Sequence, residues 1–208
     1  MLDSRSVPMA SILVVCTGNV CRSPVAEGFL RSALQGRFGD ETPLVASAGT
    51  AGWEGEPAMR ETVLAAAERD VDISGHIARR LLKEHIEASD LVLAMAGEHR
   101  DAVTGSMPEA AARTFTLKEL VRLLEGSTAN AHGSRPAGTL VRRIVEADAL
   151  RRAGFPGNPG DEDIADPLGL PLETYRAVAW ELDGWCRRLV DGLFGSVQAP
   201  AAVTGEED

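Results

Sequence analysis

A cysteine and an arginine separated by five residues are the side chains best suited to catalysis in this sequence. Cys16 follows an apolar run at residues 12–15, and Arg22 precedes Ser23-Pro24, a pair typical of a helix start with serine as the N-cap. A loop between a strand and a helix N-terminus presents backbone N–H groups and the positive end of the helix dipole to an anion. Since the planar guanidinium of Arg22 can bind two phosphate oxygens at once, the pattern predicts an oxyanion site.

The sulfur of Cys16 would lie at the base of this site. The thiolate is the nucleophilic form of cysteine, and positive sites of this kind lower a cysteine pKa to roughly 3.5–7.5. The pattern therefore predicts two-step phosphoryl transfer, in which the thiolate attacks phosphorus and forms a phosphocysteine that water hydrolyses. The phosphoryl oxygens would be bound by Arg22 and by the loop residues Thr17, Gly18, Asn19, Val20 and Cys21.

Asp166 is the best candidate for the acid and base that this reaction needs. A neutral acid must protonate the leaving oxygen, and its conjugate base then activates the attacking water. Asp166 lies in the segment Ile-Ala-Asp-Pro-Leu at residues 164–168, where Pro167 stiffens the backbone. The alternative is that Asp166 is a turn or capping residue, the commoner role of an aspartate in such a segment.

The sequence predicts neither a metal nor a cofactor, and other reactive side chains have structural alternatives. The four histidines show no ligand spacing: His76, His85, His99 and His132. Cys186 falls on an apolar helical stripe and is predicted to lie in the core. Trp53 follows a turn at residues 49–52 and either lines the site or packs in the core. The carboxylates at residues 161–163 are interpreted as a solvated charge run.

The elements that position these residues alternate between strand and helix. Apolar, β-branched runs predict strands at residues 12–15, 43–47, 91–95 and 114–117. Helices are predicted from Ser23 to Ala33 and at residues 57–69, 118–125 and 171–194. The helix at 57–69 would bury Met59, Val63, Leu64 and Ala67. The last helix would bury a stripe of Leu172, Tyr175, Ala179, Leu182, Cys186, Leu189 and Leu193. The alternation predicts an α/β fold with a parallel sheet.

Length and composition favour one globular domain. The 208 residues are 44% hydrophobic and 25% charged. The domain is predicted at residues 11–195, after an N-terminal extension at 1–10 and before a disordered acidic tail at 196–208. Residues 126–160 are rich in Gly, Ser, Pro and Asn at both ends. They are interpreted as an insertion before the last helix, with a helix of their own at 139–152.

The formal net charge of -10 argues against two classes of partner. Nucleic-acid-binding proteins are usually basic, and anionic membranes attract basic surfaces, so we expect neither nucleic acid nor a membrane as partner. No apolar run approaches the ~18 residues of a membrane span. Three cysteines do not make the disulfide framework of a secreted protein. These features favour a cytoplasmic protein, in which a local positive pocket can still bind an anion.

The motif that contains Cys16 resembles the signature of the low-molecular-weight protein-tyrosine phosphatases. It reads Cys-Thr-Gly-Asn-Val-Cys-Arg-Ser-Pro at residues 16–24, followed by Ala-Glu-Gly at 26–28. Further matches occur in the family's order at residues 47–50, at Trp53, at 76–80 and 90–95, and at Asp166-Pro167. The resemblance covers residues 11–193, apart from 126–160.

The resemblance implies a fold, a partner and a set of residue roles. The fold is a flavodoxin-like four-stranded parallel sheet with helices on both faces, and the protein is a monomer that acts on a phosphorylated protein or peptide. Cys16 is the nucleophile, Arg22 binds phosphate and Asp166 is the general acid. Asn19 would fix the loop by side-chain hydrogen bonds, and Ser23 would hydrogen-bond the sulfur of Cys16 and ease its departure from phosphate.

Two departures from the family pattern bear on the substrate. Leu168 follows Asp166-Pro167 where many tyrosine-specific members have a Tyr that contacts the substrate ring. Residues 115–119 and 166–169, together with Tyr175, resemble instead the protein-arginine phosphatases, which carry a Thr at the loop position of Val20. Val20 lacks that hydroxyl, and bulky aliphatic residues at this position mark the tyrosine branch. The sequence therefore predicts phosphotyrosine hydrolysis, with phosphoarginine hydrolysis as the alternative.

Two further alternatives concern the reaction itself. The resemblance implies that Cys21 can form a reversible disulfide with Cys16. Thioredoxin-coupled arsenate reductases share the loop but need a further cysteine pair, and only Cys186 remains outside the loop here. A catalytically silent anion-binding module is the last alternative, favoured if Asp166 lies far from the loop.

Overall fold

Four parallel strands form a sheet in the order β2-β1-β3-β4. The structure is a computed structural model that describes residues 10–127, 136–155 and 162–196. The strands are β1 (Ser11–Cys16), β2 (Leu44–Gly49), β3 (Leu91–Ala94) and β4 (Thr114–Thr116). In the register of the central strand, Cys16 lies opposite Gly49 of β2, and Val15 lies opposite Ala94 of β3. The four predicted strands are therefore present, with ends that differ by a residue or two.

Helices cover both faces of this sheet. They are α1 (Arg22–Phe38), α2 (Arg60–Ala67), α3 (Lys83–Glu87), α4 (Gly97–Ser106), α5 (Leu117–Gly126), α6 (Pro136–Arg152) and α7 (Leu172–Phe194). Short 3₁₀ turns lie at Gly39–Glu41 and Pro108–Arg113. The strand order and the two helical layers are those of the flavodoxin-like fold, so the predicted fold class is confirmed.

The central strand β1 separates two hydrophobic clusters because successive side chains of a strand point to opposite faces. Ile12, Val14 and Cys16 lie in the larger cluster, together with buried residues of α1, α5 and α7. Leu13 and Val15 lie in the smaller cluster, together with Ile86 of α3 and Val103 of α4. β1 is thus buried on both faces, as its uninterrupted apolar run indicated. It delivers Cys16 to the carboxyl end of the sheet, where open α/β sheets bind ligands.

The last helix buries the stripe predicted for it. Tyr175, Ala179, Leu182, Cys186, Leu189 and Leu193 are buried, and Leu172 packs partly buried against the same cluster. Cys186 is predicted to be a core residue, and burial raises the pKa of its thiol. The helix α5 begins at a capping box in which Thr116 and Glu119 exchange hydrogen bonds.

The start of α1 differs from the prediction. The sequence predicts Ser23 as the N-cap, but the helix begins at Arg22 and Cys21 occupies the N-cap position without a side-chain cap. The hydroxyl of Ser23 instead contacts Cys16 and Asn19. The prediction was wrong because the hydroxyl of Ser23 bonds Asn19 and Cys16 rather than a backbone N–H of the helix.

The helix predicted at residues 57–69 is shorter than predicted, and it buries a different face. Pro57 pairs with Ile77 in an isolated antiparallel bridge, so α2 begins only at Arg60. The predicted face is wrong for Leu64 and Ala67, which are exposed. The buried residues of α2 are Thr62, Ala65 and Ala66, and Met59 and Val63 are partly buried.

The segment at residues 126–160 contributes to the main core where it is described. Its helix α6 buries Leu140, Ile144 and Ala147 in the larger cluster. Arg143, also buried, donates hydrogen bonds to the carbonyl oxygens of Leu124 and Gly192. Its status as an insertion stays a prediction. The predicted extension and tail lie almost wholly outside the described residues. Among the described helices, none combines the length and the apolar character that crossing a membrane requires.

Candidate active site

The loop between β1 and α1, residues 17–21, contacts the rest of the protein through its carbonyl groups. The carbonyl oxygens of residues 16–20 accept hydrogen bonds from Thr50 N, Ala51 N, Trp53 N, His76 Nε2 and Met59 N. In a trans peptide the C=O and the following N–H point in opposite directions. The N–H groups of residues 17–21 therefore point away from these partners and are available to an oxyanion.

The close approach between this loop and β2 requires a glycine. A side chain at Gly49 would clash with the carbonyl oxygen of Thr17 and would lie 2.8 Å from Cα of Gly52. The glycine-containing turn that the sequence shows after β2 thus positions the loop that carries the cysteine.

Asn19 connects three parts of the site. Its φ of 57° lies in the left-handed region, which asparagine tolerates better than most residues. The side chain is fully buried: Nδ2 donates to Oγ of Ser23 at 2.9 Å and to Oγ of Ser47 at 2.8 Å. Its Oδ1 accepts from the backbone N–H of Arg79 at 2.9 Å, which fixes the orientation of the amide.

These bonds hold the hydroxyl of Ser23 beside the cysteine. Cys16 is 2% exposed, and its Sγ lies 3.0 Å from Oγ of Ser23. Because Oγ of Ser23 accepts a hydrogen bond from Nδ2 of Asn19, its own O–H is free to point at the sulfur. A hydrogen bond donated to sulfur favours the thiolate over the thiol. The hydroxyl of Ser47, which also accepts a hydrogen bond from Asn19, donates to Oε2 of Glu27 at 2.6 Å.

The guanidinium of Arg22 lies between the loop and the segment that carries Asp166. Arg22 is 4% exposed; its Nη1 donates to the carbonyl oxygen of Ile164 at 3.1 Å. Its Nη2 donates to Oγ1 of Thr17 at 3.3 Å and to Oδ2 of Asp166 at 2.7 Å. Its Nε is buried and has no hydrogen-bond partner among the residues that the structure describes.

Contacts with β3 and α4 place Asp166 at the loop. The backbone N–H of Ile164 donates to the carbonyl of Met95, just after β3, at 2.8 Å. Asp163 accepts from the backbone N–H of Gly97 at 2.7 Å. Glu162 forms an ion pair with Arg122, so the prediction of a solvated charge run is wrong for Glu162; Asp161 lies outside the described residues. The carboxyl of Asp166 is nearly half exposed and lies at the loop.

Two apolar side chains are exposed at the edges of this site. Trp53, half exposed, lies beside Gly18: a side-chain carbon built at Gly18 would be 3.6 Å from Nε1 of the indole. Trp53 is thus not a core residue. Leu168 is 42% exposed, and its N–H donates to Oδ1 of Asp166 at 3.2 Å. Val20, by contrast, is buried against the loop.

The second loop cysteine has a different environment from the first. Cys21 is buried, 5% exposed. Burial, as the largest cause, raises the pKa of Cys21 to about 11. Its sulfur is therefore a thiol at neutral pH, and a thiol is a poor nucleophile.

The structure brings in several residues to which sequence reasoning gave no role. Ser47, His76 and Arg79 fall within stretches that resemble the family, and that resemblance was the one signal that pointed to them. The sequence offers His99 only as a metal ligand, whereas in the structure its Nε2 lies 2.9 Å from Oγ1 of Thr17. No spacing in the sequence connects these two residues.

Known proteins resemble this chain in sequence. The family model for low molecular weight phosphotyrosine protein phosphatase matches residues 11–134. A protein-arginine-phosphatase of Geobacillus stearothermophilus is 35% identical over 88% of this chain and 95% of that protein. The low molecular weight protein-tyrosine-phosphatase Etp of Escherichia coli is 43% identical over 50% of this chain and 67% of that protein.

A solved structure extends this agreement to the whole fold. The low molecular weight protein tyrosine phosphatase from T. tengcongensis is 34% identical and superposes with a TM-score of 0.64 over 88% of this chain and 98% of that chain. The residues that the family model matches include the cysteine loop, Arg22 and all four strands described above. The chain therefore belongs to the low molecular weight phosphotyrosine protein phosphatase family of cysteine-dependent hydrolases.

Proposed function

We propose that Cys16, Arg22 and Asp166 hydrolyse a phosphorylated side chain of a protein or peptide through a phosphocysteine. The observation that carries the proposal is the position of Arg22. Its guanidinium lies between the cysteine loop and Asp166, with a buried Nε that has no partner among the described residues. A phosphoryl oxygen would give this N–H the acceptor that a buried donor requires.

In the first step the thiolate of Cys16 attacks phosphorus opposite the leaving oxygen. The loop N–H groups and Arg22 bind the phosphoryl oxygens, where negative charge is present throughout the transfer. Asp166 gives its proton to the leaving atom, so that the P–O bond of a phosphate ester breaks to release an alcohol or phenol, or the P–N bond of phosphoarginine breaks to release the guanidine. In the free enzyme Asp166 accepts a hydrogen bond from Arg22, and a bound phosphoryl group would take over that donor.

In the second step water attacks the phosphorus of the phosphocysteine. Asp166, now a carboxylate, removes a proton from this water. The bond between phosphorus and sulfur breaks, and the hydrogen bond from Ser23 stabilises the departing thiolate of Cys16. Inorganic phosphate is released and the protonated acid is restored.

Phosphotyrosine is the substrate that we propose. Trp53 and Leu168 are exposed apolar side chains near the loop and the acid, suited to contact an aromatic ring. Val20 offers no hydroxyl that could orient a water or bind a guanidinium. The family relative Etp is named a protein-tyrosine-phosphatase.

Phosphoarginine is the second candidate, and the extent of similarity favours it. The relative from Geobacillus stearothermophilus that is named a protein-arginine-phosphatase matches 88% of this chain, whereas the match to Etp covers 50%. Leu168 and Gly169 follow the acid, in the pattern that the sequence shares with that branch.

We further propose that the protein acts as a monomer in the cytoplasm, with neither nucleic acid nor a membrane as partner, supported by its net charge of -10.

The test is phosphate release from peptides of one sequence that carry either phosphotyrosine or phosphoarginine. We expect release from the phosphotyrosine peptide, and none from either peptide with Cys16→Ser. The variant Val20→Thr is the matched probe of selectivity, because it exchanges one methyl group for a hydroxyl. Faster release from phosphoarginine by the unmodified protein would replace the first candidate with the second. Release that persists in Cys16→Ser would refute the mechanism.

A further inference from the structure

A buried histidine contacts the β1–α1 loop from a neighbouring helix. His99 lies in the first turn of α4 and is 1% exposed; its Nε2 lies 2.9 Å from Oγ1 of Thr17. The same Oγ1 accepts a hydrogen bond from Nη2 of Arg22 at 3.3 Å. The side chain of Thr17 is exposed, so these two contacts select one of the rotamers open to it.

The contact with Thr17 matters most once a phosphoryl group is bound. In the free structure Nη2 of Arg22 donates both to Thr17 and to Asp166. A general acid must contact the oxygen that it protonates, so Asp166 has to leave Arg22 during the reaction. Among the described side chains, Thr17 is then the remaining acceptor for Nη2, while Nη1 stays bonded to the carbonyl of Ile164.

The surroundings of His99 favour the neutral imidazole. Burial lowers the pKa of His99, and the charge of Arg22 lowers it further, against the opposing carboxylates of Glu98, Asp166 and Asp163. Its Nδ1 is buried without a hydrogen-bond partner in the described part of the chain, so a second N–H there would have no acceptor. A neutral ring can hydrogen-bond Thr17 without adding a second positive charge beside Arg22.

We propose that His99 is a positioning residue for phosphoryl binding, which acts through Thr17 on the guanidinium of Arg22. A guanidinium binds two phosphoryl oxygens only when its plane has the correct orientation. His99 holds the side chain of Thr17 in one orientation, and Thr17 holds one edge of the guanidinium of Arg22 in place before the ligand binds. Such preorganisation removes part of the free-energy cost of binding. The inference rests on the proposed function, since it assumes that Arg22 binds the phosphoryl group.

The test compares four variants of the full chain: His99→Leu, Thr17→Val, the double variant and His99→Gln. Inorganic phosphate is the probe, and its Kd is measured by titration calorimetry. Loss of one positioning hydrogen bond predicts that His99→Leu and Thr17→Val each weaken phosphate binding by about 5- to 30-fold. Because both residues act in one chain of contacts, the double variant is expected to bind no more weakly than the weaker single variant. The amide of His99→Gln reaches Thr17 and is expected to recover most of the affinity.

A matched control separates this hydrogen bond from the packing of α4. Val103 is fully buried in the same helix, where it packs in the smaller hydrophobic cluster. We expect Val103→Ala to lower the Tm while phosphate binds as in the wild type. With p-nitrophenyl phosphate as substrate, His99→Leu is expected to raise KM by more than it lowers kcat, since the defect lies in oxyanion binding.

Each outcome distinguishes the inference from the proposed function. Wild-type protein that fails to bind phosphate refutes the proposed function. Wild-type binding with an unchanged Kd in His99→Leu refutes the inference alone. A double variant whose loss is the product of the two single losses also refutes it, because the two side chains then act independently. Equal weakening by Val103→Ala would assign the effect to the packing of α4.

Discussion

Arg22 lies where two negatively charged groups compete for one guanidinium. In the free structure the carboxylate of Asp166 accepts from Nη2, while Nε is buried and unpartnered among the described residues. A phosphoryl dianion would bind the same edge and release the carboxyl of Asp166 from the guanidinium. Substrate binding and preparation of the acid are therefore coupled through one side chain.

This competition gives Asp166→Asn an unusual expected phenotype. The amide removes the competing charge, so we expect the Ki of inorganic phosphate to stay the same or fall. The kcat for a substrate with a poor leaving group, such as phenyl phosphate, is expected to fall by on the order of 10²–10⁴, and less for p-nitrophenyl phosphate. Steady-state kinetics on both substrates check this. Asp163→Asn is the matched control, since Asp163 bonds Gly97 rather than Arg22; equal small losses in both variants would make Asp166 a structural residue.

At this scale the sequence predicts the residues of the motif but not the contacts between distant residues. Cys16 and Arg22 follow from their spacing around a strand end and a helix start. The local pattern assigns the hydroxyl of Ser23 to the helix cap, whereas the family resemblance assigns it to the sulfur of Cys16, and the structure places it against Cys16 and Asn19. The contact between Thr17 and His99 joins residues 82 positions apart, with no pattern in either segment to indicate it.

Among the elements, the end of β2 determines the shape of the cysteine loop. Gly49 lies opposite Cys16 in the sheet, and a side chain there would clash with the carbonyl of Thr17. We expect Gly49→Ala to displace the loop, to weaken phosphate binding and kcat by more than about 10-fold, and to lower the free energy of unfolding by about 1–3 kcal/mol.

Urea denaturation and phosphate titration measure both effects of Gly49→Ala. The control is Gly184→Ala, in the exposed middle of α7, where an added methyl group meets no atom within 4 Å. A helical Gly→Ala change at an open site is expected to stabilise the protein by about 0.5–1 kcal/mol and to leave the kinetics unchanged. If Gly49→Ala keeps the wild-type phosphate affinity, the loop does not depend on this close approach.

Elements with strong apolar patterns were predictable, and those without them were not. The strands β1, β3 and β4 are buried along almost their whole length and α7 along one stripe, so their hydrophobic patterns predicted them. The helix α4 buries only His99 and Val103 in its ten residues, too few to produce a stripe. Its position against the loop follows from the chain continuing directly from β3, a property of the topology rather than of local composition.

Across the whole molecule, the site joins segments far apart in the chain. Arg22 bonds Ile164 and Asp166, 142 and 144 residues away, and the sheet brings these segments together at the carboxyl ends of β1 and β3. No local sequence pattern shows that these distant segments lie close together in space. The family resemblance indicated this for Asp166, and the structure adds Ile164. A ligand that contacts both sides of the junction between the cysteine loop and residues 162–166 therefore binds only the folded chain.

Inorganic phosphate is therefore expected to stabilise the whole fold. A ligand specific for the native state adds RT ln(1 + [L]/Kd), about 2.7 kcal/mol at 100 times the Kd. We expect the Tm to rise with phosphate concentration in the wild type and in Cys16→Ser, which keeps the arginine. Phosphate also stabilises proteins by general exclusion from their surface, so Arg22→Met provides the baseline at equal ionic strength. Thermal unfolding followed by circular dichroism measures the shift. An equal rise in Arg22→Met would mean that phosphate acts on the solvent, and that the junction between the loop and residues 162–166 does not bind it.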